Sequence, residues 1–223
     1  MRLLLIRHGQ TPANVRGELD TGRPGPGLTA LGRAQAAAIP AALRDERIDA
    51  IFASTLVRTQ QTAAPLARAR GLRVTTLDGV HEIEAGDNEM ATDHAAYKVY
   101  LETCLAWGLG ERDRMMPGGT SGSAFFDRFD ASIAQVSASG AAVAAVISHS
   151  AAMRVWVAGT ARNIEPMFSA HQELDNTAMI VLEGSSNDGW QLVSWRGEPL
   201  GGEVLVDDSA EDPTGESIDE ALA

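Results

Sequence analysis

Cysteine is nearly absent from this chain: Cys104 is the only one in 223 residues. No intrachain disulfide can form, which suits a reducing compartment. Long apolar runs are missing too. A membrane span needs about 18 to 20 such residues, and the longest run, around Ala141 to Ile147, is far shorter. At the N-terminus only four apolar residues separate Arg2 from Arg7, too few for a secretory h-region. These absences lead us to expect a cytoplasmic protein without a membrane partner. There is no Lys/Arg cluster of the kind that marks a nucleic-acid footprint, so nucleic acid is not an expected partner. The histidines show neither HxH nor HExxH spacing and none lies near the cysteine, so neither a metal nor another cofactor is expected.

Apolar residues are plentiful, at 44%, enough for the core of one sizeable domain. The net charge of −12 is unevenly spread. Eight acids and no Lys or Arg fall in residues 201–223, so the first 200 residues carry only −4 of it. We divide the chain into one domain, 1–200, and an acidic tail, 201–223. The tail has too little apolar surface to offset its ordering entropy and reads as a solvated, flexible end.

Leu3-Leu4-Leu5-Ile6 has no polar alternation and reads as a strand buried on both faces. Residues 50–53, 72–77 and 142–148 are further strands. Helices are expected from Ala30 to Arg44, kinked at Pro40; from Ser54 or Thr55 as cap to Arg70, stopped by Gly71; over the polar stretch 91–108; and from Ser121 to Ser137, with Phe125, Phe129, Ile133 and Val136 on one face. A last helix runs from Ser150 to Gly159. Segments 178–183 and 190–195, separated by a Gly/Ser/Asn/Asp turn, read as a hairpin at the sheet edge. Alternating strands and helices imply an α/β fold: a three-layer αβα sandwich with a mostly parallel central sheet and an antiparallel edge strand. Ligands of such sheets bind beyond the carboxyl ends of strands. Two strands end there in histidines, at Arg7-His8-Gly9 and Ser148-His149-Ser150.

The segment Leu3 to Thr11, an apolar strand followed by Arg-His-Gly-Gln-Thr, resembles the histidine phosphatase superfamily, the phosphoglycerate mutase-like proteins. The resemblance extends through Asn14, Leu28-Thr29 to Gln35, Ser54-Thr55-Leu56-Val57-Arg58-Thr59-Gln60-Gln61-Thr62-Ala63, Glu82 to Gly86, Pro117-Gly118-Gly119-Thr120-Ser121 and Val146 to Ser150. It covers residues 2 to about 195. Two positions depart from the family pattern: Thr120 stands where Glu is usual, and Ser150 where Gly is.

The resemblance implies the fold given above and a phosphatase that works through a phosphohistidine on His8. A phosphate ester dianion needs fixed positive charge around its oxygens, and Arg7 and Arg58 suit this as planar, always-charged forks. His149, if protonated, would add a donor, as would Thr11, Asn14, Ser150 and the N–H groups opening the helix after His149. Attack needs a neutral imidazole whose other nitrogen is held, here by a carbonyl in the Gly9 to Pro12 loop. The departing alkoxide needs a proton. Family register places that acid four residues before Gly86, at Glu82 rather than Glu84, and a neighbouring carboxylate such as Glu84 could raise its pKa. His81, His94 and His171 have no paired motif and read as ordinary surface or packing residues. Trp107, Met115 and Met116 lie in a polar insertion, 87–116, that could line the substrate mouth.

The expected partner is a small-molecule phosphate ester, and the apolar edge strands could pair in a homodimer. Two other functions compete. A phosphoglycerate mutase would return the phosphoryl group to a product, yet residues 86–93 offer acids and no cation to a second anionic group. A weakly catalytic phosphate-binding regulatory module is the other, for which Thr120 and Ser150 leave room.

Overall fold

Leu3, Leu4, Leu5 and Ile6 are all fully buried, and the strand they form is one of the two central strands of the sheet. In the computed structural model, which describes residues 1–165 and 167–221, the elements follow in the order β1 (Arg2–Arg7), α1 (Pro12–Arg16), α2 (Ala30–Ala42), β2 (Ala50–Ser54), α3 (Val57–Arg70), β3 (Val74–Leu77), α4 (His94–Gly108), α5 (Gly122–Ala138), β4 (Val143–Ser148), α6 (Ser150–Thr160), β5 (Met179–Ser185), β6 (Gly189–Arg196) and α7 (Ile218–Ala221).

The sheet has the order β3-β2-β4-β1-β5-β6. β1, β2, β3 and β4 are mutually parallel, and β5 runs against both β1 and β6. The reversed strand therefore sits one place in from the edge, and the hairpin's second strand closes the sheet. Successive side chains of a strand point to opposite faces, and the two cores divide along that alternation. Leu3, Leu5, Ala144, Val146, Ile180 and Leu182 pack with Trp107, Phe125, Phe129 and Trp156 from α4, α5 and α6. Leu4, Ile6, Ala145, Ile147, Met179 and Val181 pack with Ile39, Leu43, Ala63 and Leu66 on the side of α2 and α3. Burying each large side chain contributes about 1.5–3 kcal/mol, so the doubly covered sheet is the rigid base on which the loops at its carboxyl edge stand. Among the described residues no helix is long and apolar enough to cross a membrane.

Local differences from the sequence reading have simple causes. Helix α2 runs through Pro40, whose missing N–H leaves the Ala36 carbonyl without its usual helical partner, and ends at Ala42, short of the expected Arg44. Helix α3 begins at Val57 with Leu56 as its uncapped N-cap, because the Ser54 hydroxyl is engaged with Thr59 and His149. The short α1 falls in what read as loop. It is set by Thr11 and Asn14, which exchange the reciprocal bonds of a capping box. Trp107 and Met116 do not line a mouth: both are buried, and Trp107 stacks on Phe125 with centroids 5.9 Å apart, while Met115 is exposed.

Candidate active site

Arg7 lies opposite Ser148 in the parallel register of β1 and β4, so both strands end at the same level and on the same edge. The His8 N–H donates to the Ser148 carbonyl (3.0 Å). The next residue of each strand thus brings His8 and His149 together, with ring centroids 5.1 Å apart.

His8 Nδ1 lies 2.8 Å from the Gly9 carbonyl, inside the loop where the sequence placed such a partner. A carbonyl can only accept, so Nδ1 carries the hydrogen and Nε2 keeps its lone pair. Burial, followed by the charges of Arg58 and Arg7, holds the His8 pKa well below its ordinary value, and the ring is neutral. Three neighbours fix the backbone around it. Thr62 Oγ1 accepts from the Gly9 N–H (2.9 Å), and the His8 carbonyl accepts from Asn176 Nδ2 (3.3 Å) and from the Thr177 N–H (3.2 Å). Thr177 makes that bond from a left-handed backbone, φ 63°, which a β-branched residue rarely adopts.

His149 is also neutral. Burial leads, and the Arg58 and His8 charges add to it, in holding its pKa well below the ordinary value. Arg58 Nε donates to its Nδ1 (3.3 Å), so its Nε2–H faces Ser54 Oγ (2.8 Å). Both nitrogens are engaged, so the free donor expected of an imidazolium is not presented in this arrangement. Arg58 itself is 3% exposed. Its Nη2 donates to the Asp20 carbonyl (3.0 Å), but Nη1 has no hydrogen-bond partner among the described residues, and the Asp20 carboxylate stands 3.9 Å away. A buried guanidinium nitrogen without a partner is what an anion site looks like before its anion arrives.

Glu82 is buried, and that burial raises its pKa against the opposing pull of two backbone hydrogen bonds and of Arg58 and Arg7. Its Oε1 accepts from the N–H groups of Ile83 (2.9 Å) and Ala152 (2.8 Å), and Oε2 from that of Ala151 (3.3 Å). The Ala151 and Ala152 amides in the first turn of α6 are therefore spent on Glu82 and not free for phosphate. Glu84 does not act on Glu82 as the sequence reading supposed. Although partial burial opposes it, the bond to His81 and the Arg128 charge bring Glu84 down to about 2, so it is a structural anion. His81 is accordingly more than a bystander, because it links Glu84 to Arg23. His94 is exposed at the start of α4, and His171 pairs with Asp219 at 2.9 Å, away from this site.

The remaining expected phosphate donors are already engaged, save for Arg7 Nε, which has no hydrogen-bond partner among the described residues. Thr11 Oγ1 donates to Asn14 Oδ1 (2.9 Å) within the capping box and is not a free donor. Asn14 Nδ2 reaches Asp212 (3.1 Å), Arg7 Nη2 binds the same carboxylate, and Ser150 Oγ donates to the Thr214 carbonyl. From the tail, 201–223, expected as a solvated end, Asp212 and Thr214 reach Arg7, Asn14 and Ser150.

One functional residue escaped the sequence reading. Arg128 donates from Nη1 to the carbonyls of Gly79 (2.6 Å) and His81 (2.8 Å), and from Nη2 to that of Glu82 (2.8 Å). With Tyr100 on the Ile83 carbonyl (3.0 Å) and Ser148 on that of Val80 (2.7 Å), it fixes the loop that carries Glu82. A faint signal was present. Arg128 is three residues from Phe125, on the face of α5 that the apolar spacing had already turned inward. Arg128→Met should cost about 1.5–3 kcal/mol, the range for charged hydrogen bonds. It should also slow unactivated phosphate esters at least about tenfold more than p-nitrophenyl phosphate, because only the former need a well-placed proton donor. Parallel kinetics on the two esters check this, and Arg128→Lys should restore part of the difference.

No group of three or more His, Cys, Asp and Glu side chains converges as a metal site would among the described residues. Residues 3–197 match the family described as the histidine phosphatase superfamily (branch 1). Among similar proteins, PE-PGRS family protein PE_PGRS11 of Mycobacterium tuberculosis is 39% identical over 213 residues, covering 88% of this chain, which spans 36% of that relative's length. The adenosylcobalamin/alpha-ribazole phosphatase of Escherichia coli is 34% identical over 137 residues, 61% of this chain and 67% of the relative. The solved structure of a mycobacterial glucosyl-3-phosphoglycerate phosphatase superposes with a TM-score of 0.72 at 26% identity, covering 87% of this chain and 98% of that one. With its paired histidines and arginines at one sheet edge and a family match over nearly its whole length, the chain belongs to branch 1 of the histidine phosphatase superfamily.

Proposed function

We propose that this chain is a phosphatase that hydrolyses a small-molecule phosphomonoester through a phosphohistidine on His8. The observation that carries the reading is the state of His8: neutral, with Nδ1–H tied to the Gly9 carbonyl and the lone pair left on Nε2. In the first step Nε2 attacks phosphorus, the ester P–O bond breaks, and the leaving oxygen takes the proton of Glu82. In the second, water attacks phosphorus, gives a proton to the Glu82 carboxylate, and the P–N bond breaks to free phosphate and His8. Arg58, through its unpartnered Nη1, and Arg7 neutralise the oxygens in both steps.

The phosphatases named among the relatives act, by their names, on α-ribazole phosphate and on glucosyl-3-phosphoglycerate. Two such different leaving groups support phosphomonoester hydrolysis as the shared chemistry without choosing a substrate. The mutase reading gains nothing from the loop after Glu82, where the Glu89 carboxylate is spent on the N–H groups of Thr21 (2.8 Å) and Gly22 (2.9 Å). Phosphate release from a panel of phosphorylated metabolites tests the proposal. Turnover of at least one ester, absent in His8→Ala, is expected, whereas phosphoglycerate isomerisation with no net hydrolysis contradicts it.

The pH dependence follows from the two shifts. Glu82 must hold its proton, so the rate on an alkyl phosphate stays high below its raised pKa and falls as pH rises through it. His8 must be neutral, and its pKa is held down, so the loss of rate on the acid side begins well below 6.5. A pH–rate profile on an alkyl phosphate checks both, and the high-pH decline should be missing in Glu82→Gln.

A further inference from the structure

We propose that residues 207–216 form a built-in competitor for the substrate, with the carboxylate of Asp212 standing in for the phosphoryl group. The proposal rests on the reading of this pocket as a phosphate site. Asp212 accepts from Arg7 Nη2 and from Asn14 Nδ2 (3.1 Å), two donors expected to bind phosphate. Thr214 Oγ1 lies 3.3 Å from the same Arg7 nitrogen and 3.0 Å from Asp212 Oδ1. The Arg7 side chain is 1% exposed in this arrangement, and its Nη1 is held by the Leu174 carbonyl (2.7 Å), so no substrate reaches it while Asp212 stays.

The segment is anchored along its length by polar contacts that a solvated tail would not make. The Leu205 carbonyl accepts from Gln35 Nε2 (2.9 Å), Asp207 from Gln10 Nε2 (2.7 Å), the Thr214 carbonyl from Ser150, and the Gly215 carbonyl from Arg154 Nη2 (2.6 Å) and the Leu174 N–H (2.8 Å). Pro213 and Gly215 within it, and Ser217 just after it, are buried. The mimicry is incomplete, and that makes it reversible. One carboxylate engages Arg7 Nη2 and Asn14 Nδ2 but leaves Arg7 Nε and Arg58 Nη1 unpartnered among the described residues, whereas a phosphate dianion has oxygens enough for both arginines and Asn14. Such a strap acts as a tethered ligand, and it weakens apparent substrate affinity by the fraction of time the site is open.

Inorganic phosphate is the probe. Binding is measured by calorimetry on the full chain, in the His8→Ala background so that it is read apart from catalysis. Asp212→Asn is expected to tighten phosphate binding about tenfold, the gain if the strap fills the site about nine-tenths of the time. In the His8-containing protein the same change should lower KM with kcat held within about twofold. Asp219→Asn, which removes an equal charge from the exposed end of the tail, should change neither. A second measurement uses the unaltered protein: amide exchange across residues 207–217 should speed up on saturation with phosphate. Unchanged or weaker binding in Asp212→Asn, an equal gain in Asp219→Asn, or exchange indifferent to phosphate would each overturn the strap. Loss of turnover in every protein with the binding shift intact would instead count against the phosphatase reading.

Discussion

His8→Ala is expected to reduce turnover on every phosphate ester by about 10⁴ to 10⁶, the scale seen when an essential nucleophile is removed. The reduction should appear in kcat, because Arg7, Arg58 and Asn14, the groups proposed to bind the phosphate, remain. Stability should fall by no more than about 1–2 kcal/mol. The imidazole's one hydrogen bond is to the adjacent Gly9 carbonyl, and the fold around it is held by the β1–β4 register and by Thr62, Asn176 and Thr177 acting on the backbone. Thermal unfolding alongside steady-state kinetics separates the two effects. An unfolded variant would say nothing of the chemistry, and a folded variant with retained activity would remove His8 from the mechanism.

The second large effect is on the proton. Glu82→Gln keeps the size of the side chain and an oxygen able to accept from Ile83 and Ala152, as Glu82 Oε1 does, and it removes the acid. Alkyl phosphates, whose alkoxide cannot leave unprotonated, should slow by about 10² to 10⁴, the usual contribution of general acid catalysis. A p-nitrophenyl ester, whose leaving group is stable as an anion, should slow by less than about tenfold in its first step. Burst kinetics on p-nitrophenyl phosphate should then show normal formation and slowed decay of the phosphoenzyme, because Glu82 also accepts the proton of the attacking water. Equal slowing of alkyl and aryl esters would move the acid elsewhere. Glu84 is a poor heir, since its pKa of about 2 leaves it without a proton at working pH.

The path from sequence to site was short where the signal was local. An unalternated run such as Leu3 to Ile6 reads as a strand covered on both faces, and Arg7-His8-Gly9 follows it directly. Parallel neighbours then oblige His149 to arrive at the same edge, and the register of Arg7 with Ser148 realises this. The resemblance to a family added which nucleophile and which acid to expect. What the sequence concealed was every interaction made across long separations to backbone. Arg128 works through three carbonyls 46 to 49 residues away, and no side-chain pattern marks a carbonyl. The capping box of α1 took Thr11 out of the free donors through a bond made only three residues on, a motif written in the sequence but hidden by its loop-like neighbours. The tail misled composition. Eight acids without a Lys or Arg describe a segment that cannot fold on its own, but not one that meets Arg7, Gln10 and Arg154 on a surface already built.

The central claim is that the phosphoryl group passes through the imidazole at the end of β1. Rapid quenching of enzyme with ³²P-labelled substrate, followed by peptide mapping without acid, tests it most directly. The account predicts label on His8, stable in alkali and lost in acid, that builds up and decays at rates matching turnover. Turnover without label on His8, or label that appears on another side chain, would contradict it.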